Sequence, residues 1–373
     1  MSRSAVRVAP GLPGGARSNE EPAGDTLQAA LLAGVSRTFA LCIPQLPGEL
    51  RAAVGNAYLL CRIVDTIEDE AVLAAARKRE FSLRFPQVVS GQEDAALFAR
   101  ELVPLLSERT PAAERELLVL APSIVQRTRL LSPAYRASIE DCVRKMAAGM
   151  ARFQERGDAA GTRAHLGLRD QAEMDRYCYF VAGVVGEMLT GMFCEYSPRI
   201  ARARERLMSL AVSFGQGLQM VNILKDIWDD HARGACWLPR EVFEARGFDL
   251  DQLAPGRYRP PFGEALHSLI DSAYRHLEDA LAYTLCIPAS EGGIRRFCTY
   301  PLGFAVLTLR RLKAHPDFAS GCEVKIPRWN VRVTVLTLRC LSGSDTFLRT
   351  GMRMLGRGLS AGCERKAGSL EAR

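Results

Sequence analysis

The stretch SFGQGLQMVNILKDIWDDHARGACWLP, from Ser213 to Pro239, decides the fold. Asn222, Asp226 and Asp230 recur at every fourth position, a spacing that stacks them on one face of an α-helix, turn above turn. The run from Leu207 to Leu224 carries no charge and is apolar on more than one side, so the helix is expected to be buried. Carboxylates brought to the edge of an interior without partners cost several kcal/mol each. Something cationic has to meet them.

A second acidic cluster lies in CRIVDTIEDE, where Asp65, Glu68 and Asp69 stand at i, i+3 and i+4 on one helical face. Either cluster alone reads equally well as a solvated, salt-bridged face. Both, however, sit in otherwise apolar segments, and two such faces opposed would repel unless divalent cations lay between them. Magnesium suits the pair, because it takes oxygen ligands octahedrally, keeps several waters and is usually completed by substrate phosphates. Tyr58 and Arg62 precede Asp65 in steps of four and three on the same helix. Arg37, Arg62, Lys225 and Arg233 are close enough in sequence to the clusters to add phosphate contacts.

The 373 residues are 48% hydrophobic and only 7% aromatic, enough to bury a large core. The net charge of +7 suits an anionic small molecule or the surface of an anionic membrane. It does not suit nucleic acid, since no basic run with interleaved aromatics, zinc-finger spacing or helix-turn-helix is present. The eleven cysteines form no CxxC pairs, and several, such as Cys61, Cys178, Cys194 and Cys298, lie in apolar stretches. They read as reduced, buried thiols of a cytoplasmic protein.

Along the chain the pattern is helical throughout, with no competing strand pattern. Residues 1–25, rich in Gly, Pro, Ala and Arg, read as a disordered tail without a secretory signal. A single helical domain is expected over 26–345, followed by the end of a helix and a polar tail over 346–373. A helix over about 175–193, DRYCYFVAGVVGEMLTGMF, carries Gly183, Gly186 and Gly191. Each glycine costs a helix about 1 kcal/mol against alanine, so a neighbouring helix or an apolar substrate must come close. Residues 321–330, GCEVKIPRWN, read as an ordered basic loop. The uncharged run 207–224 is too polar to span a bilayer. No Gly-rich dinucleotide loop follows a strand, and no catalytic triad is apparent.

Facing magnesium-type clusters at the mouth of an apolar helical cavity suit removal of diphosphate from an allylic isoprenoid, with apolar walls sheltering a carbocation. The chain resembles the squalene/phytoene synthase family over about residues 26–345. The matching segments are SRTF (36–39), YLLCRIVDTIEDE (58–70), DRYCYFVAGVVG (175–186) and QMVNILKDIWDD (219–230), in that family's order. The resemblance implies an all-α isoprenoid synthase fold around a central apolar cavity. It also implies head-to-head condensation of two prenyl diphosphates through a cyclopropylcarbinyl diphosphate. By position, Asp65, Glu68, Asp69, Asn222, Asp226 and Asp230 would hold magnesium. Ser36, Arg37, Tyr58 and Arg62 would bind diphosphate, with Phe39, Lys225 and Arg233 also in the substrate site. Tyr177 matches a tyrosine that assists proton removal, and Val185, Leu189, Leu218, Gln219, Phe297 and Pro301 match cavity-lining positions.

Within the family, FCTYPLGFAVLTL (297–309) and VKIPR (324–328) are more similar to the squalene-forming branch than to the phytoene-forming one. That implies farnesyl diphosphate as substrate and NADPH-dependent reduction, with phytoene or dehydrosqualene as the non-reductive alternative. Lys325 and Arg328 are the basic candidates for the cofactor phosphates. The chain departs from the phytoene-type pattern at Arg233-Gly234-Ala235, where a second basic residue is usual. The membrane anchor of eukaryotic relatives is missing, which implies a bacterial-type cytoplasmic monomer with at most peripheral membrane contact.

Overall fold

A computed structural model describes residues 23–159 and 167–359 of the chain. The expected tails before residue 23 and beyond residue 359 lie outside the described residues. The labelled helices are α1 (Ala23–Val35), α2 (Gly48–Asp69), α3 (Ala75–Ser90), α4 (Ala95–Leu102), α5 (Ala112–Val119), α6 (Ala121–Leu130) and α7 (Pro133–Ala159). After them come α8 (Gln171–Cys178), α9 (Val184–Tyr196), α10 (Arg204–Lys225), α11 (Ile227–Ala232), α12 (Pro260–Cys286), α13 (Gly292–Ala314), α14 (Arg328–Leu341) and α15 (Asp345–Leu355). Among the described residues the only β-type pairing is an isolated bridge between Leu168 and Pro239. The fold is all-α.

Helix α10 is the centre, packed against α9, α12 and α13. Its approach to the α8–α9 segment is close enough to explain Gly183 and Gly186, whereas a Cβ on Gly191 would make only an ordinary contact with Ser138 at 3.6 Å. A Cβ on Gly186 would fall 2.2 Å from the Ala211 carbonyl oxygen, and one on Gly215 would fall 2.2 Å from that of Ala182. The neighbour is therefore a helix rather than a substrate at Gly186. Of the described helices, Gln171–Tyr196 and Arg204–Lys225 are long and apolar enough to cross a membrane, yet these are the two packed on each other at the centre.

Between α8 and α9 the backbone makes one wide π turn, Tyr179–Gly183, with the Val184 N–H donating to the Tyr179 carbonyl. Such turns insert an extra residue into a helix and are frequent at functional sites. The outer layer from residue 75 to 130 forms four helices, punctuated by Gly91, Pro104, Pro111 and Pro122. The expected basic loop is partly helical: Gly321–Val324 makes one turn, and Pro327 precedes α14. The ten described cysteines are all free thiols, and six of them are buried.

Candidate active site

Helix α2 presents Tyr58, Arg62, Asp65 and Asp69 along one side, all partly exposed, while Glu68 is buried. Across from it, α10 ends at Lys225 and the chain bends at Asp226 (φ −100°, ψ 13°) into α11. The helical bonds continue through the bend, from Asp226 N–H to Asn222 O at 2.9 Å and from Asp230 N–H to Asp226 O at 2.8 Å. Asn222, Asp226 and Asp230 therefore keep their alignment although the helix is formally broken. Asn222 is exposed and Asp230 buried.

The two acidic segments meet through Arg233. Its guanidinium donates to Asp69 at 3.2 Å and to Asp230 at 2.5 Å. Two further carboxylates have basic partners: Asp65 with Arg62 at 3.6 Å, and Asp226 with Lys225 at 2.9 Å. Among the described residues no three Asp, Glu, His or Cys side chains converge into a ready-made metal cage. The donor set nevertheless fits hard cations. Glu68 keeps a buried Oε1 with no hydrogen-bond partner. Burial pushes Asp65 up to about 7 and Asp230 to about 6 against the pull of their arginines, and it pushes Glu68 well above the usual carboxylate range.

Tyr177 closes the floor of this site. Its hydroxyl donates to Glu68 Oε2 at 3.2 Å, and its ring lies parallel to Trp237 with centroids 4.0 Å apart and edge-on to Phe153 at 5.2 Å. Burial and the surrounding carboxylates Glu68, Asp69 and Asp230 push its hydroxyl well above the ordinary tyrosine range, so it stays protonated.

Local chemistry places both rings. Asp170 caps α8 by accepting from the Glu173 N–H, and Glu173 in turn accepts from the Arg169 N–H. On the other side, α11 ends in a Schellman motif: Gly234 sits at φ +77°, Ala235 N–H reaches Asp230 O and Gly234 N–H reaches His231 O. That turn sends the chain back so that Leu168 and Leu238 pair at 2.8 Å, with Gly167 at φ +101° too close to the Leu238 carbonyl to carry a side chain.

The expected diphosphate side forms a second group. Ser36 Oγ accepts from the Phe39 N–H at 3.0 Å and pairs with the Tyr58 hydroxyl. Phe39 packs on Tyr58 and Phe297, with centroids 5.0 and 6.4 Å apart. Arg37 is exposed in the turn beside them. Val185 and Leu189 on α9, with Leu218 and Gln219 on α10, are only partly buried although they belong to central helices. Partial exposure of apolar residues there is what a cleft between helices produces. Phe297 and Pro301 on α13 are buried, Phe297 against Phe193. Lys325 and Arg328 are exposed, and their segment abuts the second acidic cluster: a Cβ on Gly321 would lie 3.2 Å from Asp229 Oδ2.

Sequence reasoning missed three residues. Glu114 on α5 is buried and accepts from Arg62 at 2.5 Å and from Thr66 at 3.1 Å, fixing the guanidinium. Lys78 donates to the Glu68 carbonyl at 2.7 Å beside the first cluster. Trp237 stacks on Tyr177. Glu114 and Lys78 lie in amphipathic outer helices, where a charge reads as surface. Trp237 alone left a signal, as a lone aromatic just past the acidic helix.

Comparison with known proteins gives the family and the fold. The family description "Squalene/phytoene synthase" matches residues 32–330. The chain is 30% identical over 339 residues to the squalene synthase of Mycosarcoma maydis, covering 86% of this chain and 56% of that protein. It is 28% identical over 277 residues to the human squalene synthase, covering 74% and 60% respectively. The chain thus spans less than two thirds of the length of these curated relatives. In overall shape it is similar to a ligand complex of TcSQS, with a TM-score of 0.72 at 23% identity over 91% of this chain and 93% of the other.

Proposed function

The chain belongs to the squalene/phytoene synthase family, and from that premise we propose that it condenses two farnesyl diphosphates head to head through a cyclopropylcarbinyl diphosphate and reduces the product to squalene. The observation that carries this reading is the pair of acidic segments meeting at Arg233 with the Tyr177 hydroxyl beside them.

Arg62, held by Glu114, and Arg233 and Lys225, now on carboxylates, turn to the diphosphates as these arrive. Ser36, Arg37 and Tyr58 bind the second substrate's phosphates beside the Phe39–Phe297 wall. Asp65, Glu68, Asp69, Asn222, Asp226 and Asp230 would hold magnesium, and Lys325 and Arg328 the NADPH phosphates. When bound, magnesium neutralises the departing diphosphate and NADPH supplies hydride to the final cation. Tyr177 is held between Trp237 and Phe153, where its hydroxyl relays the proton lost on ring closure toward the released diphosphate. Val185, Leu189, Leu218, Gln219 and Pro301 line the walls that keep water from the cation. The same reading makes the protein a cytoplasmic monomer in peripheral contact with a membrane, which takes up the hydrocarbon.

Incubation with farnesyl diphosphate and magnesium, with and without NADPH, tests it. Squalene formed only with NADPH is the expected product. Dehydrosqualene or phytoene unaffected by NADPH moves the assignment to the non-reductive branch, and no hydrocarbon at all from any prenyl diphosphate overturns it.

A further inference from the structure

Helix α14, RWNVRVTVLTLRCL, has no buried residue although eight of its fourteen residues are apolar. Its inner side is accounted for: Val331, Val335 and Leu338 pack against the core, and Thr334 and Leu338 approach Gly303 on α13. The opposite side carries Trp329, Val333, Leu336 and Cys340, spaced by four, three and four, which is one continuous stripe on an α-helix. All four are exposed, Trp329 by 66% and Leu336 by 62%. Six of the fifteen exposed large hydrophobics among the described residues fall between Trp329 and Leu355, so the concentration is not the scatter of single surface leucines.

Charge singles out the same segment. From Val324 to Leu359 there are seven basic residues, Lys325, Arg328, Arg332, Arg339, Arg349, Arg353 and Arg357, against one acidic, Asp345. Seven minus one is a local excess of six, in a chain whose whole excess is +7. Asp345 is already paired with Arg295 at 2.8 Å. Arg328, Arg332 and Arg339 follow one another along one flank of the apolar stripe, and among the described residues no carboxylate pairs with them. A protein partner matched to the stripe would have to be both apolar and anionic along its length. A lipid surface with anionic headgroups is both by construction, and a helix with an exposed apolar stripe and a row of arginines is built to lie in it.

We propose that α14 is a membrane-interface helix: its stripe Trp329–Val333–Leu336–Cys340 inserts at the acyl boundary of an anionic phospholipid bilayer, and Arg332 and Arg339 take the headgroup phosphates. Because α14 packs on α13, which carries Phe297 and Pro301, the cleft lies one helix behind the docked face. The proposal stands on the surface itself and does not depend on the reaction assigned above.

The test is flotation of the full chain with vesicles of phosphatidylcholine, alone or mixed with phosphatidylglycerol, without substrate. Trp329 is the one exposed tryptophan of three, so its fluorescence quenching by bromine-labelled lipid reports insertion directly. Binding to mixed vesicles, lost at high salt and weakened about fivefold for each arginine removed in Arg332→Gln and Arg339→Gln, is expected. Trp329→Ser with Leu336→Ser should abolish binding while the melting temperature is kept, since neither side chain is buried. If a variant misfolds, quenching of Trp329 in the unaltered chain decides. Failure of the unaltered chain to float on anionic vesicles overturns the proposal. So does a concentration-dependent dimer abolished by Leu336→Ser without vesicle binding, which would make the stripe a contact between copies.

Discussion

Arg233 and Asp69 come from the two opposite acidic segments and meet at 3.2 Å, so a single guanidinium stands between carboxylates expected to hold metal. Arg233→Ala should therefore leave Asp69 and Asp230 facing each other without a counter-charge. A drop in melting temperature on the order of 2–4 °C in chelator is expected, with a larger gain on adding magnesium alone than the unaltered chain shows. Thermal melts in the two conditions measure it. Equal gains in both proteins would mean that the arginine does not stand in for the ligands.

Tyr177→Phe keeps the ring between Trp237 and Phe153 and removes only the donor to Glu68. The fold and prenyl diphosphate binding should persist while formation of the cyclopropyl intermediate falls by about 100-fold or more. Single-turnover trapping of that intermediate is the measurement. A wild-type rate would make the hydroxyl a structural group.

Glu114→Gln tests a residue that never touches substrate. Losing the carboxylate should cost about 1–3 kcal/mol of stability and free Arg62 to swing, raising the KM for farnesyl diphosphate roughly tenfold with kcat changed much less. Steady-state kinetics separate this positioning effect from a plain loss of fold, which would lower active enzyme and leave KM alone.

Lys325→Ala with Arg328→Ala should raise the apparent KM for NADPH about tenfold or more, or divert product to dehydrosqualene and alcohols, with the cyclopropyl intermediate still forming. Product analysis at limiting NADPH checks it. Unchanged squalene output would remove these two side chains from the cofactor site.

The fold was legible because its strongest signals are local. Helical spacing marks Asp65, Glu68 and Asp69 on one face and Asn222, Asp226 and Asp230 on another, and the chain does bring Asp69 and Asp230 to one arginine. What spacing does not carry is pairing across distant segments. Glu114 is one acidic residue among several in an outer helix until the packing of α5 on α2 buries it against Arg62. Gly186 was legible as a close approach but not as to what approaches, because a helix backbone and a substrate make the same demand on a missing Cβ. The exposed stripe of α14 was hidden for the opposite reason: apolar residues at helical spacing read as core, and only the surroundings show which side has a neighbour.

The wide turn at Tyr179–Gly183 sets the rotational phase between two half-helices that carry different parts of the candidate site, Tyr177 before it and Val185 and Leu189 after it. One residue is about 100° of helix, since 3.6 residues make a turn. Deleting a single position there, for example Phe180, would let an ordinary α-helix run through and swing Tyr177 away from Glu68 while Val185 and Leu189 on α9 keep their places. Such a deletion should keep the helical circular dichroism yet reproduce the kinetic defect of Tyr177→Phe. The joint thus makes the aim of the Tyr177 hydroxyl adjustable by length alone, independently of where Val185 and Leu189 lie.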